Sequence, residues 1–318
     1  MTAYILRRII QSILVILIVS IIVFFLIRFL PGDPILIYLS EREFSSLTAE
    51  QIQAAKHEYG IDRPLLVQYF SWWNDILHGD MGKSLFYNEN VSKLMAERIP
   101  VTLHLGISAF ILSCIFGVSI GTITAIRRAR AIDTILTLLA NIGICVPVFW
   151  LGILLIYLFG LKLNFLPLYG YTSPFDDFWM STKQSILPVI SLSIFSIAAL
   201  TRQTRSSVLE ITRQDYIRTA WSKGFKESYI VARHVMKNSL IPIVTLLGVA
   251  FSHILGGSVL IETVFSVPGL GRLAVDALFK QDYAIIQAIT LFTSTLIVVV
   301  NLCVDIVYGW LDPRIRYG

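Results

Sequence analysis

Six stretches of this chain contain no aspartate, glutamate, lysine or arginine: Ile9–Ile27, Leu105–Ile126, Thr134–Leu161, Gln184–Thr201, Asn238–Ile261 and Tyr283–Val304. They are 19, 22, 28, 18, 24 and 22 residues long. A helix needs about 20 apolar residues to cross a hydrocarbon layer of about 30 Å, so each stretch is long enough to span one. Strands would need only about 9–11 residues and would alternate polar with apolar, a pattern these runs lack. A spanning helix also satisfies its own backbone hydrogen bonds where water cannot. The expected fold class is therefore an all-α integral membrane protein with six transmembrane helices. Composition agrees, since 15% of the residues are charged, against about 25% in soluble chains.

The first stretch, preceded by Arg7 and Arg8, has the look of a secretory signal. It is longer than the usual apolar core of about 7–15 residues, and no small-residue cleavage site follows it. It reads as a retained anchor, with Arg28 reaching toward the headgroups and Pro31-Gly32-Asp33-Pro34 stopping the helix. With the N-terminus inside, the inner segments hold 15 of the 26 lysines and arginines but five of the 21 acids. The outer segments hold ten bases and 15 acids. This asymmetry follows the positive-inside rule and places both termini in the cytoplasm. The net charge of +5 is thereby assigned to topology and to contact with membrane lipid, and nucleic acid is not an expected partner.

Two polar segments are too long for simple connections. The outer one, Pro31 to Pro100, is expected to be helical around Thr48–Glu58 and Val67–Leu77. The inner one, Arg202 to Lys237, reads as two amphipathic helices broken at Gly224. Phe225, Tyr229, Ala232 and Met236 fall at i, i+4, i+7 and i+11 and form one apolar stripe, suited either to a partner protein or to the membrane surface. Pro147 is a possible kink in the third span. Cys114, Cys145 and Cys303 lie far apart in apolar runs and read as reduced, buried packing residues.

Three motifs resemble catalytic signatures and fail in context. Gly117-Val118-Ser119-Ile120-Gly121 matches a nucleophile elbow, but it sits inside a spanning stretch, where the same glycines read as a helix-packing G-x-x-x-G. Gly79 to Ser84 ends like a P-loop, but position 77 is leucine rather than glycine. His57-Glu58 begins a zinc-protease motif whose second histidine position is Ile61. No catalytic residue and no metal site are expected. Among polar residues within the spans (Asn141, Asn164, His253, Asn301, Asp305), His253, Asn301 and Asp305 are the candidates for a translocation pathway. Packing is their plainer role.

Along its whole length the chain resembles the dipeptide/oligopeptide/nickel permeases of ABC importers, specifically the partner with the long first outer loop. The resemblance rests on Tyr4-Ile5-Leu6-Arg7-Arg8, on Gly60-Ile61-Asp62-Arg63-Pro64-Leu65 with Gln68-Tyr69, and on Gly79-Asp80-Met81-Gly82. Further along it rests on Gln214-Asp215-Tyr216-Ile217-Arg218-Thr219-Ala220 with Lys223-Gly224, then His234, Lys237-Asn238 and Leu240-Ile241-Pro242. It continues through Ile261-Glu262, Phe265 and Pro268-Gly269-Leu270-Gly271 to the terminal Asp312-Pro313-Arg314. The general permease pattern has Glu-Ala-Ala where this chain has Arg218, Thr219 and Ala220, a departure shared with the peptide branch.

The resemblance implies a type I ABC importer permease fold with three parts: an anchor helix (1–30), an extracytoplasmic segment (31–99) and a five-helix core (100–318) carrying a cytoplasmic coupling loop (202–238). It implies coupling residues Asp215, Tyr216, Ala220, Gly224, Phe225, Tyr229, His234 and Asn238. The implied partners are a second homologous permease subunit, two cytoplasmic ATPase subunits and an extracytoplasmic substrate-binding protein. This chain is expected to hold no cofactor and to catalyse nothing, with ATP and Mg bound by the ATPases. The implied cargo is di- or oligopeptides, in the inner membrane of a bacterial cell. The alternatives are a nickel or metal-chelate importer, an ion-coupled secondary transporter and a membrane hydrolase using Ser119. Cysteine-accessibility labelling on a cysteine-free background tests the topology: Arg128→Cys is expected to react only from the cytoplasmic side and Trp72→Cys only from the other.

Overall fold

The computed structural model describes residues 2–29 and 62–311, together with positions 53 and 57. The helix expected at Thr48–Glu58 and the terminal Asp312-Pro313-Arg314 lie outside the described residues. Among the described residues the fold is helical, and the one β-type pairing is an isolated bridge between Lys83 and Asn90. The helices are α1 (Thr2–Arg28), α2 (Leu65–Leu77), α3 (Val91–Ile126), α4 (Ala131–Cys145), α5 (Val148–Leu155), α6 (Phe178–Thr212), α7 (Asp215–Ser222), α8 (Glu227–Ile230), α9 (Met236–Val264), α10 (Leu270–Lys280) and α11 (Tyr283–Leu311). Five runs are long and apolar enough to cross a membrane: Ile5–Arg28, Val91–Ile126, Phe178–Thr212, Glu227–Val264 and Tyr283–Trp310.

The sixth expected span is not one straight helix. Ala131–Cys145 and Val148–Lys162 meet at an angle of 106°. Pro147 brings no backbone N–H and forces the residue before it out of the helical region, and Val146 accordingly has ψ 124°. Beyond α5 the chain continues as a π-helical turn, Ile156–Lys162, before a loop leads into α6. That helix is capped at Asp177, whose carboxylate accepts from the Met180 amide at 2.9 Å.

The charge-free windows understate the helices they mark. Helix α3 begins at Val91, inside the expected outer segment, and carries Pro100 within it. Helix α6 runs on to Thr212, so the first eleven residues of the expected inner loop continue a membrane helix. Helix α9 likewise passes Ile261 to include Glu262.

The tightest packing joins α3 and α6, and it depends on two glycines. A Cβ at Gly117 would lie 2.6 Å from Leu200 Cβ, and one at Gly121 would lie 2.6 Å from both the Thr201 carbonyl oxygen and Thr204 Cβ. The G-x-S-x-G sequence is therefore a contact surface, with Thr201 Oγ1 donating to the Gly117 carbonyl at 3.3 Å. Ser119 points away from this seam and is exposed on the opposite side of α3.

Three apolar cores are stacked along the bundle. Helix α3 has 36 residues, a length of about 54 Å at 1.5 Å per residue. Its Val91, Leu94 and Met95 enter one cluster with Leu270, Leu273 and Ile285, whereas Ala125 at its far end joins Val208, Ile217, Ala220, Ile230 and Val235. Between them, Leu105 and Ala109 pack with Leu187, Leu192, Ile254 and Phe265. The end bearing α10 and the end bearing α7 and α8 are thus opposite poles of the molecule.

Helix α1 packs chiefly on α11, and side chains of α2 meet its C-terminal third. Phe24, fully buried, meets Tyr69 at 5.2 Å and Trp72 at 5.8 Å between ring centroids. Arg28 does not reach for headgroups. Its guanidinium lies 3.5 Å over the Phe24 ring and its Nε donates to Gln68 Oε1 at 2.9 Å, because a neutral acceptor and an aromatic face stand within reach. The cysteines are free as expected, but burial holds only in part: Cys114 is half-buried, while Cys145 and Cys303 lie exposed on the helical surface.

The α3–α6 seam gives a paired prediction. Gly121→Val is expected to lower the stability of the detergent-solubilised protein by about 1–3 kcal/mol through overpacking. Ser119→Ala is expected to leave the melting temperature unchanged, and thermal unfolding followed by circular dichroism measures both.

Candidate functional site

The pole bearing α7 and α8 is built on the third core. Helix α7 turns Ile217 and Ala220 inward, and both are buried. Its other face is open: Asp215 is exposed and pairs with Arg218 one turn on, N to O 3.5 Å. Tyr216 is exposed, and its hydroxyl accepts from Asn238 Nδ2 at 3.1 Å. The same Nδ2 donates to the His234 carbonyl at 2.9 Å, so Asn238 ties the first turn of α9 to α7.

Helix α7 ends where Gly224 takes φ +77°, its amide donating to the Trp221 carbonyl at 2.9 Å. A Cβ at Gly224 would meet nothing within 4 Å, so backbone conformation, not space, selects glycine there. The chain then turns into α8 with Phe225 and Tyr229 both exposed. Their rings lie 5.2 Å apart, and His234 meets Tyr229 edge-on at 5.9 Å.

The single apolar stripe expected from Phe225 to Met236 is divided in the fold. Val231–Val235 form a π-helical turn, which inserts a residue and rotates everything after it. Phe225, Tyr229 and Ala232 stay exposed, whereas Met236 turns inward, where its sulfur accepts from Thr122 Oγ1 at 3.4 Å. Ile230 and Val235 supply the inward face instead.

The three pathway candidates do not converge. His253, halfway along α9, is exposed and lies parallel to Phe195 at 3.9 Å between ring centroids. Val249, Gly256 and Leu260 share its face, and all are exposed. An imidazole at that depth on an unpartnered face is costly against hydrocarbon and suits a water-filled or protein-covered surface. Asn301 lies on the α9–α11 seam, against the space that a Gly248 side chain would occupy. Asp305 takes Arg8 of α1 as its partner at 3.3 Å, not Asn301 one turn before it.

Three buried acids escaped the sequence reading because each stands at the edge of a charge-free window. Glu262 is fully buried. Its Oε1 accepts from Thr102 Oγ1 at 2.7 Å and its Oε2 from the Arg272 amide at 3.1 Å, while Thr102 Oγ1 accepts from the Leu270 amide at 2.8 Å. The carboxyl group thus seats the N-terminus of α10 by accepting from its first amides, directly and through Thr102. Gly269 is small for this reason, since a side chain there would run into the Glu262 carboxylate, and one at Gly271 would meet the Val259 backbone first and then Glu262.

Asp282 does the same work between α10 and α11. It accepts from Ser84 Oγ at 2.5 Å and, at 3.5 Å, from the amides of Phe86 and Ile285, pinning the former P-loop look-alike to the core. Burial holds its carboxyl above the usual aspartate range despite these donors. Asp133 receives Arg205 through two 2.9 Å bonds, and the Ala129 amide at 3.0 Å. His57, the start of the incomplete zinc motif, bonds Asp62 at 2.7 Å. Among the described residues no group of three or more metal-binding side chains gathers.

This multi-pass helical bundle, with its short two-helix segment at one pole, shares its fold with a chain of a solved ABC transporter. A chain titled as the inward-facing MetNI methionine ABC transporter superposes with a TM-score of 0.57 at 14% identity, covering 69% of this chain and 96% of that one. The family described as "Binding-protein-dependent transport system inner membrane component" matches residues 117–317, and its N-terminal counterpart matches residues 1–106. The chain belongs to this family. It is 40% identical over 317 residues to a probable peptide ABC transporter permease of Sinorhizobium fredii, with all of both chains covered. It is 37% identical over 320 residues to the oligopeptide transport system permease protein AppB of Bacillus subtilis, again over the whole of both.

The Glu262 seat can be tested directly. Glu262→Ala leaves the Arg272 amide and the Thr102 hydroxyl without their acceptor, at about 1–3 kcal/mol for each buried group. Hydrogen exchange at residues 270–272 is expected to accelerate at least tenfold, with Glu262→Gln, which keeps one acceptor oxygen, falling between it and the wild type.

Proposed function

We propose that this chain is the peptide-permease subunit of an ATP-driven importer, forming half of the translocation pathway beside a second, homologous permease. The reading of cargo rests on relatives that span the whole chain and are named for peptide or oligopeptide transport. Two cytoplasmic ATPases bind ATP and Mg and perform the hydrolysis, and an extracytoplasmic binding protein delivers the peptide. The chain lies in the bacterial inner membrane with both termini in the cytoplasm, and it holds no cofactor of its own.

The observation that carries the coupling role is the inner pole. A short helix is held rigidly by Ile217 and Ala220 in a closed core, and an exposed Phe225–Tyr229 pair projects beyond a glycine fixed at positive φ. Asp215, Tyr216, Ala220, Gly224, Phe225, Tyr229, His234 and Asn238 form this dock. A rigid projection transmits displacement, whereas a solvated loop would absorb it. ATPase closure moves α7, and the shared core carries that motion to α3, α6 and α9, rocking the bundle between its two access states. His253 is assigned to the pathway wall because its face of α9 is open. Asn301 and Asp305, one on a helix seam and the other in an ion pair, position α11.

Phe225→Asp tests the dock in the assembled complex. Burying one such aromatic is worth about 1.5–3 kcal/mol, or roughly a tenfold to hundredfold change in affinity. The ATPases are expected to fall away on purification while insertion and permease pairing persist. Recovery of the ATPases at wild-type yield would remove Phe225 from the coupling surface.

A further inference from the structure

Three clefts run into one another along α4 and share Asn141. At the inner end a cleft of about 620 Å³ is lined by Thr137, Arg202, Arg205, Glu210 and Arg213 among others. A second, about 360 Å³, continues past Thr137 and Leu138, and a third, about 520 Å³, opens at the Pro147 break between Cys145, Phe149 and Trp150. The result is one groove, apolar at the helix break and cationic at its inner mouth.

Polarity decides what the groove faces. Thr137 and Asn141 lie on α4 within the bent span, and Asn141 is exposed. Such groups are costly against acyl chains, so this face of α4 and α6 borders water or protein. The arginines differ in their state. Arg205 is held by Asp133 in a two-pronged pair, whereas the side chains of Arg202 and Arg213 make no hydrogen bond or ion pair among the described residues. They stand eleven residues apart on one helix, about 16 Å along its axis. One carboxylate cannot engage both at once, but it can pass from one to the other.

We propose that this groove is the inner reach of the peptide path, and that Arg202 and then Arg213 receive the free C-terminal carboxylate of the leaving peptide. The proposal rests on the peptide-permease reading above. The apolar cleft at Phe149 and Trp150 accepts a side chain, Asn141 and Thr137 offer hydrogen bonds to a peptide backbone, and Glu210 accepts an ammonium group. A phospholipid fits less well, since Glu210 repels its phosphate and Asn141 lies where its acyl chain would run. Two weak stations rather than one strong one allow cargo to enter and still leave.

The test uses the complete importer in proteoliposomes, with a tripeptide supplied either as the free acid or as its C-terminal amide. Uptake of the two is compared for wild type and for Arg202→Gln/Arg213→Gln, with co-purifying ATPases as the measure of assembly. The free-acid to amide uptake ratio is expected to fall about fivefold in the double variant, the factor that one exposed charge pair of about 1 kcal/mol supports. Arg202→Lys/Arg213→Lys is expected to restore most of the ratio, which separates charge from assembly if the glutamine variant is poorly made. An unchanged ratio overturns the proposal, and so does an anionic lipid seen by native mass spectrometry to be lost from the double variant while the ratio holds. Failure of the wild-type complex to take up either peptide overturns the peptide reading itself, before any variant is compared.

Discussion

The close approach of α3 and α6 is the contact on which the rest of the bundle is hung. In lipid, apolar surface alone does not drive helices together, and association falls to van der Waals contact and interhelical hydrogen bonds. Gly117 and Gly121 supply the first by letting Leu200, Thr201 and Thr204 sit against the α3 backbone. The Thr201 hydroxyl on the Gly117 carbonyl supplies the second. Because α3 enters all three cores and α6 enters two of them, this one seam holds the cores in line.

Much of this architecture was legible in the sequence, and the limits are physical. Absence of charge marks where a helix must be buried in lipid, so the windows located the spans. It does not mark where a helix ends, because a charge that finds a partner can stay inside. Glu262 finds the α10 amides, Asp133 finds Arg205 and Asp282 finds Ser84, and each stands just outside a window that stopped at it. Those partners are separated by up to 198 positions, beyond the reach of any local pattern. The break at Pro147 was visible as a kink, but its size of 106° depends on what α4 and α5 pack against.

The coupling segment shows the same division. Gly224 was expected to break two helices, and its positive φ gives the reason. The stripe from Phe225 to Met236 was drawn on a uniform helical period, and a π-helical turn at Val231–Val235 breaks that period. The consequence is a division of the stripe: both aromatics stay outside and Met236 turns in. A regular helix could not bury Ile230 and Val235, five residues apart, and expose Tyr229 to the same degree.

The pairing of α1 with α11 also bears on how the molecule is made. Helix α1 takes as its main neighbour a helix that is synthesised more than 250 residues later. Until Tyr283–Leu311 arrives, Arg8 lacks the Asp305 carboxylate and the face of α1 that meets α11 is uncovered. A chain that lacked this span would carry one face of its first helix bare through every earlier stage of assembly.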